Sequence, residues 1–278
     1  MKLKVLILIF NIILVIIFLT VFSFSLFSAD TDFIGNFFKN YWLFIGSFFF
    51  LLIGINLFFL NNRNLISSLE AENWSGLSQY LETEILKKRH LSFRKVRLFS
   101  EICILLADFD NLRQLETVLE ADKPRFLRKL ATRFAAGKML TNDYESLASF
   151  SKKIIAQSGQ QQPWMHFYEA FAEQMLKNYT AAAQKYEILL RRAYPPLSRL
   201  LALYFLACGL HSYSGMPPDE IDRYIASQKA FLKKYSSCYW EKQRAKEKHA
   251  MHILVLTKTL NEALEWLLKE EGRFNQQH

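Results

Sequence analysis

The chain predicts an all-α protein: an N-terminal transmembrane helical hairpin followed by an α-solenoid of stacked helix pairs. Three observations carry that prediction. Two long apolar runs without a charge occupy most of the first sixty residues. Beyond them the chain is rich in Leu, Ala, Glu, Lys and Gln, its apolar residues recur at three and four positions, and it holds few Gly or Pro, which is the pattern of amphipathic helices. A turn motif, seen in ADFDNL at 107–112, returns at a stride of 35 residues.

The first run, Val5 to Phe27, would be about 35 Å long as a helix, against a hydrocarbon core of roughly 30 Å. The second, residues 41–60 (YWLFIGSFFFLLIGINLFFL), opens on Tyr41 and Trp42, whose amphipathic rings favour a membrane interface. The domains are therefore a two-span hairpin over 1–60 (spans 5–27 and 41–60) and a helical repeat region over 61–278. Lys2 and Lys4 also fit the start of a cleaved signal peptide. The apolar run is longer than such a leader needs, and LFSAD lacks a convincing pair of small residues for cleavage. Lys2 and Lys4 precede the first span, and Arg63, Lys87, Lys88, Arg89, Arg94, Lys95 and Arg97 follow the second, whereas the connection holds one Lys against two Asp. Both ends are expected on the cytoplasmic side. Cys103, Cys208 and Cys238 are odd in number and widely spaced, and read as buried apolar side chains in a reducing compartment.

The repeat is carried by Asn73-Trp74, Asp108-Phe109, Asp143-Tyr144 and Asn178-Tyr179. At each, a short oxygen-bearing side chain can accept from the free N–H groups at a helix start, and the aromatic beside it can pack under the following helix. Apolar residues keep the same register: Leu77, Leu112, Leu147 and Ala182; Leu119, Ile154 and Leu189; Ile85, Ile155 and Leu190. Ser100, Ala135 and Ala170 are small where two helices of a pair must approach closely. Pro124 stands just past a second helix, where a helix must stop. One amphipathic pair cannot bury both its faces, so several must stack into a continuous core.

These residues resemble the tetratricopeptide repeat family, most clearly in ADFDNLRQLETVLEADKP and KNYTAAAQKYEILLRRAYPP. The resemblance covers about 58–195, and KTLNEALEWLLKE at 258–270 looks like a last second helix. Between them lies an inserted loop reaching Pro217-Pro218, with a helix opened by Asp219 and Glu220. By register the first helix of the first unit would begin near Phe58, inside the second span. The plan of hairpin and helical repeats is similar to that of HemY-type membrane proteins of bacteria, which implies a place in the inner or cell membrane with the repeats in the cytoplasm.

No Gly-rich phosphate loop, GxSxG or HExxH is present. His249 and His252 stand three apart with no ligand-spaced carboxylate or Cys. Neither enzyme activity nor a cofactor or metal is expected. Residues 61–278 hold 32 basic against 24 acidic residues. Such a charge attracts anionic headgroups and acidic protein segments, although solvated helix faces account for it equally. The family resemblance implies that partners bind a groove lined by first helices. Its candidate residues are Arg94, Arg97 and Glu101, then Lys129 and Arg133, then Trp164, Phe167 and Phe171. Lys129 and Arg133 resemble half of a carboxylate clamp, but Asn62 and Leu98 stand where its other half belongs. The spacing of Trp164, Phe167, Tyr168 and Phe171 also fits core packing. The expected function is an adaptor or scaffold for protein partners, acidic or extended segments among them, at a membrane's cytoplasmic face. Alternatives are an obligate structural subunit of a membrane enzyme complex, or anionic-lipid or RNA binding through a basic face.

Overall fold

The computed structural model describes residues 3–27, 42–43, 46–57, 60, 73–158, 162–192, 195–247 and 251–268. Among them every regular element is helical. The chain divides into two compact units, Met1–Thr83 and Glu84–His278.

In the first unit, helix α1 (Leu3–Phe27) is a single 25-residue helix. Helix α2 covers residues 46–57. The rings of Phe18 and Phe48 stack, with centroids 4.3 Å apart. Asn11 Nδ2 donates to Asn56 Oδ1 at 3.1 Å, and Asn56 Nδ2 returns a bond to Asn11 Oδ1 at 3.3 Å. Asn11 with Asn56 and Phe18 with Phe48 make the two helices antiparallel, since the partner's number falls as α1 rises. Ile12, Ile13, Ile16, Ile17 and Leu19 are all exposed, so α1 turns an apolar surface away from protein. Among the described residues no helix is long and apolar enough to cross a membrane, so the two expected spans are not supported there. What the described residues give of the expected hairpin is thus the paired apolar helices. The connection at 28–41 and the expected helix start near Phe58 lie outside the described residues. Helix α3 (Trp74–Glu82) is capped by Asn73, whose Oδ1 accepts from the Gly76 N–H at 2.8 Å. It runs on into a π-helical turn, Thr83–Lys87.

The second unit begins with α4 (Phe93–Leu105) and α5 (Phe109–Asp122), continues through α6 (Pro124–Lys129), α7 (Ala131–Leu140) and α8 (Tyr144–Ser158), and then α9 (Pro163–Met175) and α10 (Tyr179–Arg191). It closes with α11 (Pro196–Gly209), a 3₁₀ turn at His211–Tyr213, α12 (Pro218–Lys233), α13 (Ser237–Glu247), α14 (Met251–Val255) and α15 (Thr257–Leu268). Second helices begin at Trp74, Phe109, Tyr144 and Tyr179, so the 35-residue stride seen in sequence is the stride of the helices.

The turns repeat in their backbone closure. Ala107, Asn142 and Lys177, also 35 apart, hold left-handed φ of 55°, 55° and 64°. The next N–H reaches back five residues: Asp108 to the Cys103 carbonyl at 2.8 Å, Asp143 to Lys138 at 3.0 Å, and Asn178 to Glu173 at 2.9 Å. That bond, with the one from the left-handed residue to the carbonyl three before it, is a Schellman closure of the first helix. The same aspartates then cap the second helix, Asp108 accepting from Asn111 N–H and Asp143 from Ser146 N–H, each at 3.2 Å. Asn178 departs from the expected cap. Its side chain makes no capping bond, and Nδ2 instead donates to Glu173 Oε2 at 2.8 Å.

Packing follows the register. Leu77, Leu112, Leu147 and Ala182 are buried, as are Leu119, Ile154 and Leu189, and the small residues Ser100, Ala135 and Ala170 are fully covered. Ile155, in the same series as Ile85 and Leu190, is only half-buried. Gly137 brings α7 closest to α5: a Cβ there would fall 2.4 Å from Leu112 Cδ2. The stride ends after α11, where Phe205 replaces the small residue and the segment 210–217 displaces the next helix start to Pro218. The C-terminal helices do not extend the stack in line. α14 packs on α7, and α15 packs on α11 and α12. Cys103 is buried as expected, but Cys208 and Cys238 are exposed, because each falls on the solvent side of its helix.

Ala107 holds a conformation in which its Cβ is strained, so Ala107→Gly should raise stability by about 1 kcal/mol. Gly137→Val, which must displace the buried Leu112, should lower it by about 1–3 kcal/mol. Urea denaturation of the two variants beside the parent protein checks both signs.

Candidate functional site

The first-helix face comprises α4, α6–α7, α9 and α11. On α4, Val96, Phe99, Ser100 and Cys103 turn inward. Arg94, Arg97 and Glu101 therefore share the opposite stripe, spaced by three and four. Glu101 is the centre of that stripe. Its Oε1 accepts from Arg97 Nε at 3.2 Å and from Arg133 Nη2 of α7 at 2.8 Å. Arg133 is mostly covered, and its Nε is buried without a hydrogen-bond partner among the described residues. The Arg97–Glu101–Arg133 bridge ties α4 to α7 and neutralises part of the cationic groove.

Lys129 and Arg133 are not brought together as two sides of a clamp. Leu130, at φ −106° and ψ 9°, ends α6 before α7 begins. Lys129 consequently stays exposed with its ammonium 5.7 Å from the centre of the Phe93 ring, while Arg133 turns to Glu101. Phe93 meets Phe126 edge to face at 5.3 Å, which joins the start of α4 to α6. Arg94, Arg125 and Lys129 are exposed around this aromatic pair, and Arg128 is half-exposed beside it.

Trp164 and Phe167 are buried and belong to the core, the reading that competes with a ligand pocket. Phe167 contacts Trp164, Phe171, Tyr186 and Phe205, and Phe205 lies nearly parallel to Tyr186. Tyr168 is fully covered, and Phe171 is half-buried against Tyr144. Burial pushes the Tyr186 hydroxyl well above its ordinary pKa, so it stays protonated and donates to Gln174 Oε1 at 3.2 Å. These rings interlock α8 through α11.

Two features of this face were not anticipated from sequence. The first is its cover. Since α14 packs on α7 and α15 on α11, with Ile253, Leu256, Leu260, Ala263 and Leu267 buried, the chain's own C-terminal helices occupy part of the surface expected to bind partners. The amphipathic spacing in TLNEALEWLL was legible; its docking site on α11 and α12 was not. The second is the half-buried carboxylate of Glu84. Lys88 Nζ donates to it at 2.9 Å and Lys95 Nζ at 3.0 Å, and His90 Nδ1 lies 3.4 Å away. The bonds from Lys88 and Lys95, aided by His90, hold its pKa at about 2 although burial alone would raise it. The basic run at 87–97 is thus partly neutralised by its own acid.

Among the described residues no group of three His, Cys, Asp or Glu side chains could hold a metal ion, and His249 lies outside those residues. A cleft of about 340 Å³ opens between α13 and α14–α15 and is lined by Glu241, Arg244, Ile253, Leu254 and Leu260.

A family model described as "Uncharacterised Treponema protein" matches residues 111–269, more than half of the chain. A relative from Treponema pallidum (strain Nichols), described as "Uncharacterized protein", is 32% identical over 237 residues, covering 82% of this chain and 76% of its own length. No solved structure matches.

Because the folded pKa of Glu84 lies below its ordinary value of 4.5, its ion pairs stabilise the fold above pH 4.5, and that contribution is lost as pH falls toward 2. Lys88 and His90 are more than half exposed, so solvent screening leaves about 1–2 kcal/mol. Glu84→Gln should cost that amount at pH 7, with the difference from the parent vanishing near pH 2 in urea titrations at stepped pH.

Proposed function

The chain belongs to the family described as "Uncharacterised Treponema protein", and from that premise we propose that it is a membrane-anchored, tetratricopeptide-like adaptor that gathers protein partners at the cytoplasmic face of a bilayer. The observation that carries this reading is the turn repeated at 107–109, 142–144 and 177–179. Three consecutive Schellman closures at one stride stack helix pairs in register, and stacked pairs with broad exposed faces are suited to binding polypeptide rather than to assembling a reaction centre.

The anchor is supported by the sequence and by the first unit. Residues 5–27 carry no charge, and Ile12, Ile13, Ile16 and Ile17 of α1 are exposed. The two asparagines of the paired helices, Asn11 and Asn56, satisfy one another. In hydrocarbon an amide has no water to turn to, so such a reciprocal pair holds two helices in register, contributing on the order of 1 kcal/mol. The basic residues flanking the apolar runs favour a cytoplasmic repeat region. Partner binding at Arg97 and its neighbours is supported by their exposure on the outer stripe of α4, on which neither α14 nor α15 is among the strong packing partners. The bridged charges there favour segments that carry both signs over purely acidic ones.

Two measurements on the full chain in its native membrane test the proposal. Alkaline carbonate should leave the protein in the membrane pellet; release into the supernatant would remove the anchor. A photo-crosslinking residue at Arg97 should capture a discrete protein adduct that one at Lys152, exposed on α8, does not. Adducts at Lys152 alone, or at neither position, would sink the first-helix face as a partner site.

A further inference from the structure

Two groups stand out among the cations of residues 88–138. Lys88, Lys95, Arg97, Arg133, Lys138 and Arg89 each meet a carboxylate: Glu84, Glu101, Glu116 or Asp122. Arg94, Arg125, Arg128 and Lys129 meet none among the described residues, and they are neighbours. The segment 123–129, KPRFLRK, contains no acid at all. Phe126 from this segment packs on Phe93 and Lys129 overlies the same ring, which draws the start of α4 and the whole of α6 into one surface. The result is a half-exposed aromatic pair rimmed by four uncompensated positive charges.

That composition narrows the occupant. Arginines and lysines around a half-buried aromatic pair match the headgroup layer of an anionic bilayer, where phosphates meet the cations and rings reach the boundary of the acyl chains. An acidic peptide would satisfy the charge but would leave the rings without a role. The chain also supplies the surface: under the membrane-anchor reading, on which this inference rests, Leu60 and Glu84 are close in sequence, so headgroups are present at high effective concentration. We propose that Arg94, Arg125, Arg128 and Lys129, with Phe93 and Phe126, form a docking surface for anionic phospholipid headgroups that fixes the repeat region against its own membrane.

The test uses the full chain reconstituted in vesicles of phosphatidylcholine, with or without phosphatidylglycerol. Cys208→Ser and Cys238→Ser leave the buried Cys103, and Ala121→Cys, exposed at the end of α5 beside the patch, takes a nitroxide label. Phosphatidylglycerol should immobilise the label and raise its contact with membrane-dissolved oxygen, and raised salt should reverse both changes. Arg94→Gln, Arg125→Gln and Lys129→Gln together should abolish the response. Lys152→Gln, Arg223→Gln and Lys234→Gln, which remove equal charge elsewhere, should leave it intact. A label that responds alike in both vesicles, or a response that survives the patch variant, overturns the proposal. So does immobilisation by poly-glutamate in phosphatidylcholine without any effect of phosphatidylglycerol, which reassigns the surface to acidic polypeptide. Flotation with phosphatidylcholine vesicles reports the anchor separately, so failure of the hairpin and failure of the patch are told apart.

Discussion

The structure depends on one residue performing two tasks at each turn. Asp108 closes the preceding helix with its own N–H, bonded to the Cys103 carbonyl, and opens the following helix with its carboxylate, bonded to the Asn111 N–H. Asp143 does the same. Sharing one residue between a C-terminal closure and an N-terminal cap leaves the connection no freedom of length, so each turn has the same backbone closure. A stack of amphipathic pairs needs that uniformity, since each pair buries its second face only if its neighbour arrives in register. The cost is a left-handed residue just before each cap, which the chain places on Ala, Asn and Lys rather than on Gly. Packing beyond the turn holds the geometry that these residues alone would not choose.

Once the pairs are fixed, charge is sorted by what lies within reach. Glu84 and Glu101 each collect two or more cations, and Glu116 collects Lys138 across α5 and α7. Lys153 with Glu120 and Lys185 with Glu169 repeat the arrangement farther along. A formal charge of +9 therefore says little about where a partner meets positive potential. Arg94 on α4 and Arg125, Arg128 and Lys129 on α6 are among the cations that meet no carboxylate among the described residues. The aromatic residues divide in the same way: Trp164 and Phe167 disappear into the core between α8 and α11, and Phe93 with Phe126 remains partly open to solvent.

The all-helical class, the helix starts at Phe109, Tyr144 and Tyr179, and the stop before Pro124 were legible because each depends on residues within a few positions of one another. A cap needs an oxygen at one place, a helix needs apolar residues at three and four, and a Pro forbids continuation. The same local logic failed at Asn178, where Glu173 offers its side chain a better acceptor than the helix offers it a donor. It was silent at Leu130, whose break between α6 and α7 separates Lys129 from Arg133 without any Gly or Pro to mark it.

The sequence by itself determined the stride, the helices, the turns that join them and the apolar character of the N-terminal runs, since these follow from periodicity and short-range hydrogen bonding. Tertiary structure alone decided that Glu101 meets Arg133, that Asn11 faces Asn56, and that α14 and α15 lie on α7 and α11. The physical reason is range: each of those contacts joins residues that are far apart along the chain and are brought together only by how the helices pack, a relation that no local spacing encodes.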